Sequence, residues 1–245
     1  MQHYLLLFVF TFIAFFVKGI TGFGNTLVMG PLFSFTASNR LITPVDLLFS
    51  IPTNAFMAWK ERKSISLKVV APLSLMMLAG IIPGVFLLKT GDDWILKSVL
   101  GVVVIGMAVE MLTRRPASDG TKKSSPALLL VIGLVSGVLA GVYGIGALLV
   151  AYVSRTTKDR SGFRANICCV FLADNLFRFF LYWATGILNR EAFFMALSLS
   201  PAVILGMLAG IRIDLKLSEK TVKHLVIILL IVSGTILFLK SVIFK

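Results

Sequence analysis

Histidine, cysteine and charged residues are all scarce in this chain of 245 residues. It has two histidines and two cysteines, and charged residues make up 14% of it. The cysteines, Cys168 and Cys169, are adjacent, whereas metal and redox sites generally use spaced pairs such as C-x-x-C. Adjacent side chains on a helix point about 100° apart, so we interpret both as small apolar fillers. No metal, cofactor or redox centre is therefore expected.

The motifs of an intramembrane enzyme or an ATP-driven pump are also missing. His3 and His224 lie near the ends of apolar runs, and no H-E-x-x-H motif occurs. The chain has no G-x4-G-K-[ST] loop, which excludes ATP hydrolysis by this chain. We therefore expect a protein that is not an enzyme.

Apolar residues, in contrast, are abundant. They make up 58% of the chain, and the mean hydropathy is +0.95. A soluble domain has about 45–50% apolar residues, and a chain of this length cannot bury the excess in its own core. A run of about 20 apolar residues is long enough to span a bilayer. We therefore predict an all-α, multi-pass membrane protein with eight spans, at residues 4–36, 41–59, 67–88, 94–112, 127–154, 163–187, 191–211 and 221–243.

The formal net charge of +13 does not indicate a nucleic-acid-binding protein. The basic residues form short clusters between apolar runs, such as Lys60–Lys63 and Lys216–Lys223, without interleaved aromatic residues. This pattern is typical of contact with anionic lipid head groups. In the eight-span prediction the 22 basic residues other than Lys18 and Arg178 lie between spans or near span ends and divide 11 and 11 between the two sides, so the positive-inside rule assigns no orientation.

The two halves of the chain resemble each other. Gly22–Gly24 and Gly144–Gly146 lie 122 positions apart, each within the first and over-long run of its half. Gly80–Gly84 and Gly206–Gly210 match further along, at an offset of 126. Transporters are often built from duplicated halves, with the substrate held between them. We therefore predict two four-helix repeats, residues 1–113 and 127–245, joined by a polar linker at residues 114–126.

The first run of each repeat is too long for one straight helix. Residues 4–36 would form a helix of about 50 Å, whereas the hydrocarbon core is about 30 Å thick. We therefore predict that this helix is broken or re-entrant at Gly22–Gly24, and its counterpart at Gly144–Gly146. Broken helices occur in membranes where they line a cavity, and their amino ends attract anions. Close helix packing is the alternative, and we favour it for Gly133 and Gly137.

Three charged side chains fall inside apolar runs. Lys18 lies one turn before Gly22, where its ammonium group would suit an anion; snorkelling to the interface is the alternative. Arg178 lies midway along its run, and Asp174 lies one turn earlier on the same face. Either these two form a structural ion pair, or Arg178 balances the charge of a substrate and Asp174 titrates.

Polar side chains recur near these charges. Asn175 is next to the predicted ion pair, and Asn54 lies near the corresponding position of the first repeat. Oxyanions accept several hydrogen bonds, so both amides are candidate ligands; hydrogen bonding between helices is the alternative. Asp46 and Glu110 lie close to the ends of runs and are expected to face water or head groups.

Gly22-Phe23-Gly24, followed by small residues and Pro31, resembles the corresponding element of the TauE/SafE sulfite exporter family, and Gly141–Gly146 strengthens the match. The resemblance covers nearly the whole chain. It implies transport of sulfite, thiosulfate, sulfonates and related organic anions across the bacterial inner membrane. Asn25-Thr26 stands where further glycines are common in the family, and Val153 occupies the repeat position of Pro31.

The residues and the resemblance together predict a multi-pass secondary transporter of the inner membrane. It would move a small sulfur-containing anion by alternating access between two repeats. A passive anion channel and a non-catalytic membrane subunit are the alternatives. Besides the anion and the lipid bilayer no partner is expected, and monomer and homodimer both remain open. The expected substrate-binding residues are Lys18, Gly22, Phe23, Gly24, Asn25, Thr26, Asn54, Tyr143, Gly144, Ile145, Gly146, Asn175 and Arg178, with Asp174 as a candidate for ion coupling.

Overall fold

The computed structural model is helical throughout the part of the chain that it describes. It describes residues 2–34, 36–113, 126–146, 149–150, 153, 160–214, 227–228, 231–232, 234–235 and 238–239. Among these residues there is no strand, and five helices are long and apolar enough to cross a membrane. The prediction of a helical multi-pass membrane protein is confirmed in this form.

The helices end where polar residues, glycine or a cap interrupt the apolar runs. Asp93 begins one helix and pairs with Lys97 one turn later at 2.9 Å. Asn189 caps another, its Oδ1 accepting a hydrogen bond from the amide of Ala192 at 2.9 Å. The described helices are α1 (Gln2–Thr21), α2 (Asn25–Phe33), α3 (Asn39–Lys60), a 3₁₀ turn (Arg62–Ser64), α4 (Leu67–Thr90), α5 (Asp93–Thr113), α6 (Pro126–Tyr143), α7 (Arg160–Ala184) and α8 (Arg190–Asp214).

These helices are distributed over two compact units. Unit 1 consists of Met1–Asp46, Thr90–Arg114 and Asn189–Lys245, and unit 2 of Leu47–Lys89 and Arg115–Leu188. Each unit therefore takes helices from both halves of the sequence. The predicted repeats, residues 1–113 and 127–245, are defined by sequence similarity rather than by contacts, and their boundaries stay a prediction.

In unit 1, α1 and α8 pack through glycine. A Cβ at Gly19 would lie 2.5 Å from the carbonyl oxygen of Met207 and 3.0 Å from the Cα of Gly210. Because these neighbours are backbone atoms, the helices would have to separate to accept a side chain. Gly206 lies against Phe12 and Gly210 against Phe16, so the two helices run in the same direction.

In unit 2, α4 and α6 are joined in the same way. A Cβ at Gly84 would lie 2.5 Å from the carbonyl oxygen of Val138 and 3.0 Å from the Cα of Gly141. One turn earlier, Gly80 lies equally close to Gly137. Residue numbers of the paired glycines increase in the same order along both helices, so α4 and α6 also run in the same direction. Close packing, favoured for Gly137 from the sequence, is therefore what this glycine does.

The amino end of α7 lies beside the loop that follows α3. Ser161 Oγ donates a short hydrogen bond to Glu61 Oε2, and the amide of Ser66 donates to Asn166 Oδ1 at 2.7 Å. Residues 61 and 161 therefore lie at the same end of unit 2. Within the predicted span of residues 127–154, α6 ends at Tyr143, at the predicted glycine element. The number of spans stays a prediction.

Candidate functional site

The first glycine element interrupts the helix as predicted, between α1 and α2 in unit 1. Gly22 and Gly24 have φ angles of 85° and 89°, which L-residues rarely adopt. The amide of Gly22 donates to the carbonyl of Lys18 at 2.7 Å and closes α1. The amide of Phe23 donates to Thr21 Oγ1 at 3.2 Å, so Thr21, which the sequence analysis did not single out, also supports the break.

The second element has nearly the same backbone geometry, in unit 2. Gly144 has a φ of 75°, and its amide donates to the carbonyl of Ala140 at 2.8 Å, which closes α6. The helix then resumes, with the amide of Val150 bonded to the carbonyl of Gly146 at 3.2 Å. The same bond joins Val28 to Gly24 at 3.2 Å, at positions 122 lower. A break was predicted at both elements, and the structure has one at each.

The two elements differ in their third glycine. Around Gly24 a Cβ would meet nothing closer than a side-chain carbon at 3.7 Å, so the φ angle alone requires glycine there. Gly146 lies outside the left-handed region but is crowded: a Cβ would lie 3.0 Å from Phe171 Cζ and 3.2 Å from Met77 Cε. Glycine is therefore required at position 24 by the backbone conformation and at position 146 by close packing.

Directly after the first break, the side chains of α2 bind a carboxylate on α3. Asn25 Nδ2 donates to Asp46 Oδ1 at 2.7 Å, and Thr26 Oγ1 donates to Asp46 Oδ2 at 2.6 Å. Asp46 is 1% exposed, so the expectation that it faces water or head groups is wrong. It lies two turns into α3 on the face that meets α2. Sequence position near the end of a run indicates depth, but it does not indicate which face another helix covers.

Lys18 is enclosed by protein just before the same break. Its side chain is 1% exposed, and its Nζ lies 5.8 Å from the centre of the Phe15 ring. A snorkelling lysine keeps its ammonium group in water, so that alternative is excluded. Among the described residues of unit 1, Lys18 and Asp46 are the buried charged side chains.

In unit 2, Arg178 fastens the end of α6. Its Nη1 donates to the carbonyl of Ala140 at 2.6 Å, and its Nη2 donates to Asn175 Oδ1 at 2.5 Å. The same Nη2 lies 3.6 Å from Asp174 Oδ2, so the predicted pair is present, with side chains 1% and 3% exposed. Helix carboxyl ends carry partial negative charge, which a guanidinium group stabilises.

Tyr182 strengthens this attachment and was missed in the sequence. Its hydroxyl donates to the carbonyl of Gly141 at 2.7 Å, one residue beyond the carbonyl that Arg178 binds. Together the two side chains of α7 hold the last turn of α6, immediately before Gly144. The spacing of Arg178 and Tyr182, one turn apart on α7, was the signal that could have identified the tyrosine.

Several buried polar atoms of unit 2 have no hydrogen-bond partner in the described part of the chain. They include Asn54 Oδ1 on α3 and Ser136 Oγ on α6, in side chains 2% and 0% exposed. Buried polar groups are normally bonded, so each such atom calls for an explanation.

The predicted site residues fall into two groups, one in each unit. Asn25 and Thr26 come together with Asp46, and Arg178 comes together with Asp174 and Asn175. No cluster of three or more His, Cys, Asp or Glu side chains that could hold a metal lies in the described ranges. Unit 1 contains Lys18, Gly22, Phe23, Gly24, Asn25 and Thr26, and unit 2 contains Asn54, Tyr143, Gly144, Ile145, Gly146, Asp174, Asn175 and Arg178.

The family model described as sulfite exporter TauE/SafE matches residues 7–237. No curated protein and no solved structure matches the chain. The matched segment contains both glycine breaks and all the buried charged side chains described above.

Proposed function

The chain belongs to the sulfite exporter TauE/SafE family, and from this we propose that it is a secondary transporter of a small sulfur-containing anion. Its substrate would be sulfite, thiosulfate or an organosulfonate, and its location the inner membrane of the cell. The observation that carries the proposal is the pairing of a broken helix with a buried cation in each unit: Lys18 before Gly22 in one, and Arg178 at the end of α6 in the other.

The break between α1 and α2 supports anion binding through its amino end. The first turn of any helix has amides without an intrahelical acceptor, and the helix dipole makes that end positive. In α2 this turn is formed by Asn25, Thr26 and Leu27 and follows the left-handed Gly24. Asn25 and Thr26 already bind a carboxylate, which is the kind of oxygen group that sulfite and sulfonates also present.

Charge balance supports the same substrate class. Burying an anion in a membrane protein is costly unless a cation or several donors compensate for it. Lys18 is buried one turn before Gly22, next to the break that precedes α2, and the guanidinium of Arg178 binds the carbonyl of Ala140 at the end of α6. Lys18 is therefore the residue that we assign to direct charge compensation, and Arg178 the one that positions the second break.

Alternating access is the proposed mechanism. It is supported by the recurrence of the backbone pattern of the breaks after 122 residues, as expected of a transporter made of duplicated halves. Gly22 and Gly144 close their helices on a carbonyl four residues earlier, at 2.7 and 2.8 Å. Two such breaks provide two places where a rigid helix can pivot about non-helical residues.

The test is counterflow with purified protein in liposomes. Vesicles loaded with unlabelled thiosulfate, sulfite or methanesulfonate are diluted into trace ³⁵S-labelled thiosulfate, with sulfate and acetate as comparison anions. We expect transient accumulation of label with the sulfur anions and a rate that saturates. A conductance that never saturates and gives no counterflow would establish the passive channel instead, and no flux of any of these anions would refute the proposal.

A further inference from the structure

We propose that Asp46 binds the cation, a proton or a sodium ion, whose gradient drives the anion. The inference rests on the proposed function and names its source of energy. The sequence pointed to Asp174 for this task, and the arrangement of the two carboxylates favours Asp46.

The position of Asp46 joins it to the first break. Both of its oxygens accept hydrogen bonds from the first turn of α2, from Asn25 Nδ2 at 2.7 Å and from Thr26 Oγ1 at 2.6 Å. Asn25 Nδ2 also lies 3.3 Å from Thr26 Oγ1, so the three side chains form one cluster. Whatever changes the charge of the carboxylate therefore acts directly on the residues that follow Gly24.

The charge balance of unit 1 gives this cluster a coupling role. Its buried charged side chains in the described ranges are Lys18 and Asp46, whose formal charges cancel. A cation taken up by Asp46 leaves the buried groups with a net charge of one positive unit. The interior then favours an anion, and by linkage a bound anion favours the cation to the same degree.

The donors provide a second route for the same coupling. While Asp46 is charged, Asn25 Nδ2 and Thr26 Oγ1 point at its carboxylate oxygens. Hydrogen bonds to a charged acceptor are roughly twice as strong as those to a neutral one. Uptake of a cation weakens the hold of Asp46 on both donors and makes them available to an oxyanion at the amino end of α2.

Among the described residues of unit 1, the other charged side chains are exposed or partly exposed, including Arg40 on α3 and Asp92 before α5. On α5, Asp93 and Lys97 pair at 2.9 Å with partly exposed side chains. On α8, Arg190, Glu191 and Arg212 are exposed. In unit 2 the carboxylate of Asp174 lies 3.6 Å from a guanidinium group that stays charged at any physiological pH. A cation arriving at Asp174 would be repelled by Arg178. Asn25 and Thr26, which donate hydrogen bonds to Asp46, are neutral.

Asp46→Asn tests the proposal because an amide mimics the neutral, loaded carboxylate. Thiosulfate uptake is measured in liposomes with the membrane potential held at zero, under a tenfold gradient of protons in one arm and of sodium in the other. For each coupled cation such a gradient supports about tenfold accumulation. We expect the wild-type protein to show this accumulation in one arm. We expect Asp46→Asn to keep counterflow but to show no accumulation in either arm, so that thiosulfate reaches about the same concentration inside and outside the vesicles. Asp92→Asn, an equivalent change at an exposed position, is the matched control.

Three results would overturn the inference. The first is that Asp46→Asn accumulates thiosulfate as the wild type does. The second is that a folded Asp46→Asn loses both accumulation and counterflow. The third is that the wild type shows counterflow but accumulates thiosulfate in neither arm. Only the absence of counterflow in the wild type would refute the transport function itself. If Asp46→Asn does not fold, Asp46→Glu is used: a shifted proton or sodium concentration for half-maximal uptake supports the inference, and an unchanged one refutes it.

Discussion

Replacing Arg178 by methionine tests whether this side chain holds the end of α6. Methionine keeps the apolar stem of the side chain but removes the guanidinium group, with its charge and its donors to Ala140 and Asn175. Hydrogen bonds of charged groups contribute about 1.5–3 kcal/mol each, so two of them amount to about 3–6 kcal/mol. Removing one partner of a buried ion pair costs about 3–5 kcal/mol. The two estimates agree on a loss of about 3–5 kcal/mol in the free energy of unfolding.

Arg178→Met also leaves the carboxylate of Asp174 buried without its guanidinium neighbour. Adding Asp174→Asn removes that charge, so we expect the double variant to recover at least about 1 kcal/mol of the loss. This partial recovery distinguishes the ion pair from the hydrogen bonds to Ala140 and Asn175, which the double variant still lacks.

The assay is reversible unfolding of purified protein in mixed detergent micelles, followed by circular dichroism. Arg190→Met, at the exposed start of α8, is the matched control. Arg178→Lys is measured in parallel; we expect it to restore little, because an ammonium group cannot reproduce the planar fork of a guanidinium. A loss below about 1 kcal/mol for Arg178→Met would show that Arg178 does not anchor α6. In vesicles, we expect Arg178→Ala to insert but not to transport anions, and transport at the wild-type rate would remove Arg178 from the site.

Three further outcomes are expected. Gly24→Ala should lower the free energy of unfolding by about 1–2 kcal/mol and slow counterflow, because the φ of Gly24 is 89°, in the left-handed region. Gly106→Ala is the matched control: a Cβ there meets nothing within 4 Å, so we expect neither effect. Equal effects of the two substitutions would contradict the strain argument. Tyr182→Phe should lower the free energy of unfolding by about 1 kcal/mol, and no change would mean that its hydrogen bond to α6 contributes nothing. Single cysteines at Lys63 and Ser161, in a cysteine-free background, should be labelled from the same side of the membrane; labelling from opposite sides would contradict the contact between Ser161 and Glu61.

The helix breaks were predictable because the reasons for them are local. A mostly apolar run of 33 residues, if it formed one straight helix, would exceed the thickness of a bilayer, and glycine is the residue that adopts positive φ without strain. Gly22–Gly24 and Gly144–Gly146 therefore identified the breaks without any knowledge of tertiary contacts. The pairing of Asp174 with Arg178 was predictable for the same reason, since residues four apart share a helix face.

The contact between the amino end of α7 and the loop after α3 was not predictable, because hydropathy does not record which loops lie together. Ser161 donates a hydrogen bond to Glu61, 100 positions earlier in the chain, and no local pattern marks that pair.

The sequence by itself determined that this is a helical membrane protein, that its helices break at two glycine elements and that charged side chains lie inside its apolar runs. These properties follow from composition, run length and short-range geometry. The tertiary structure alone decided which charges meet which groups. It placed Asp46 under Asn25 and Thr26, and it directed Arg178 and Tyr182 to the carbonyls of α6. Those contacts join residues 20 to 41 positions apart, and their formation depends on how helices pack rather than on any local pattern.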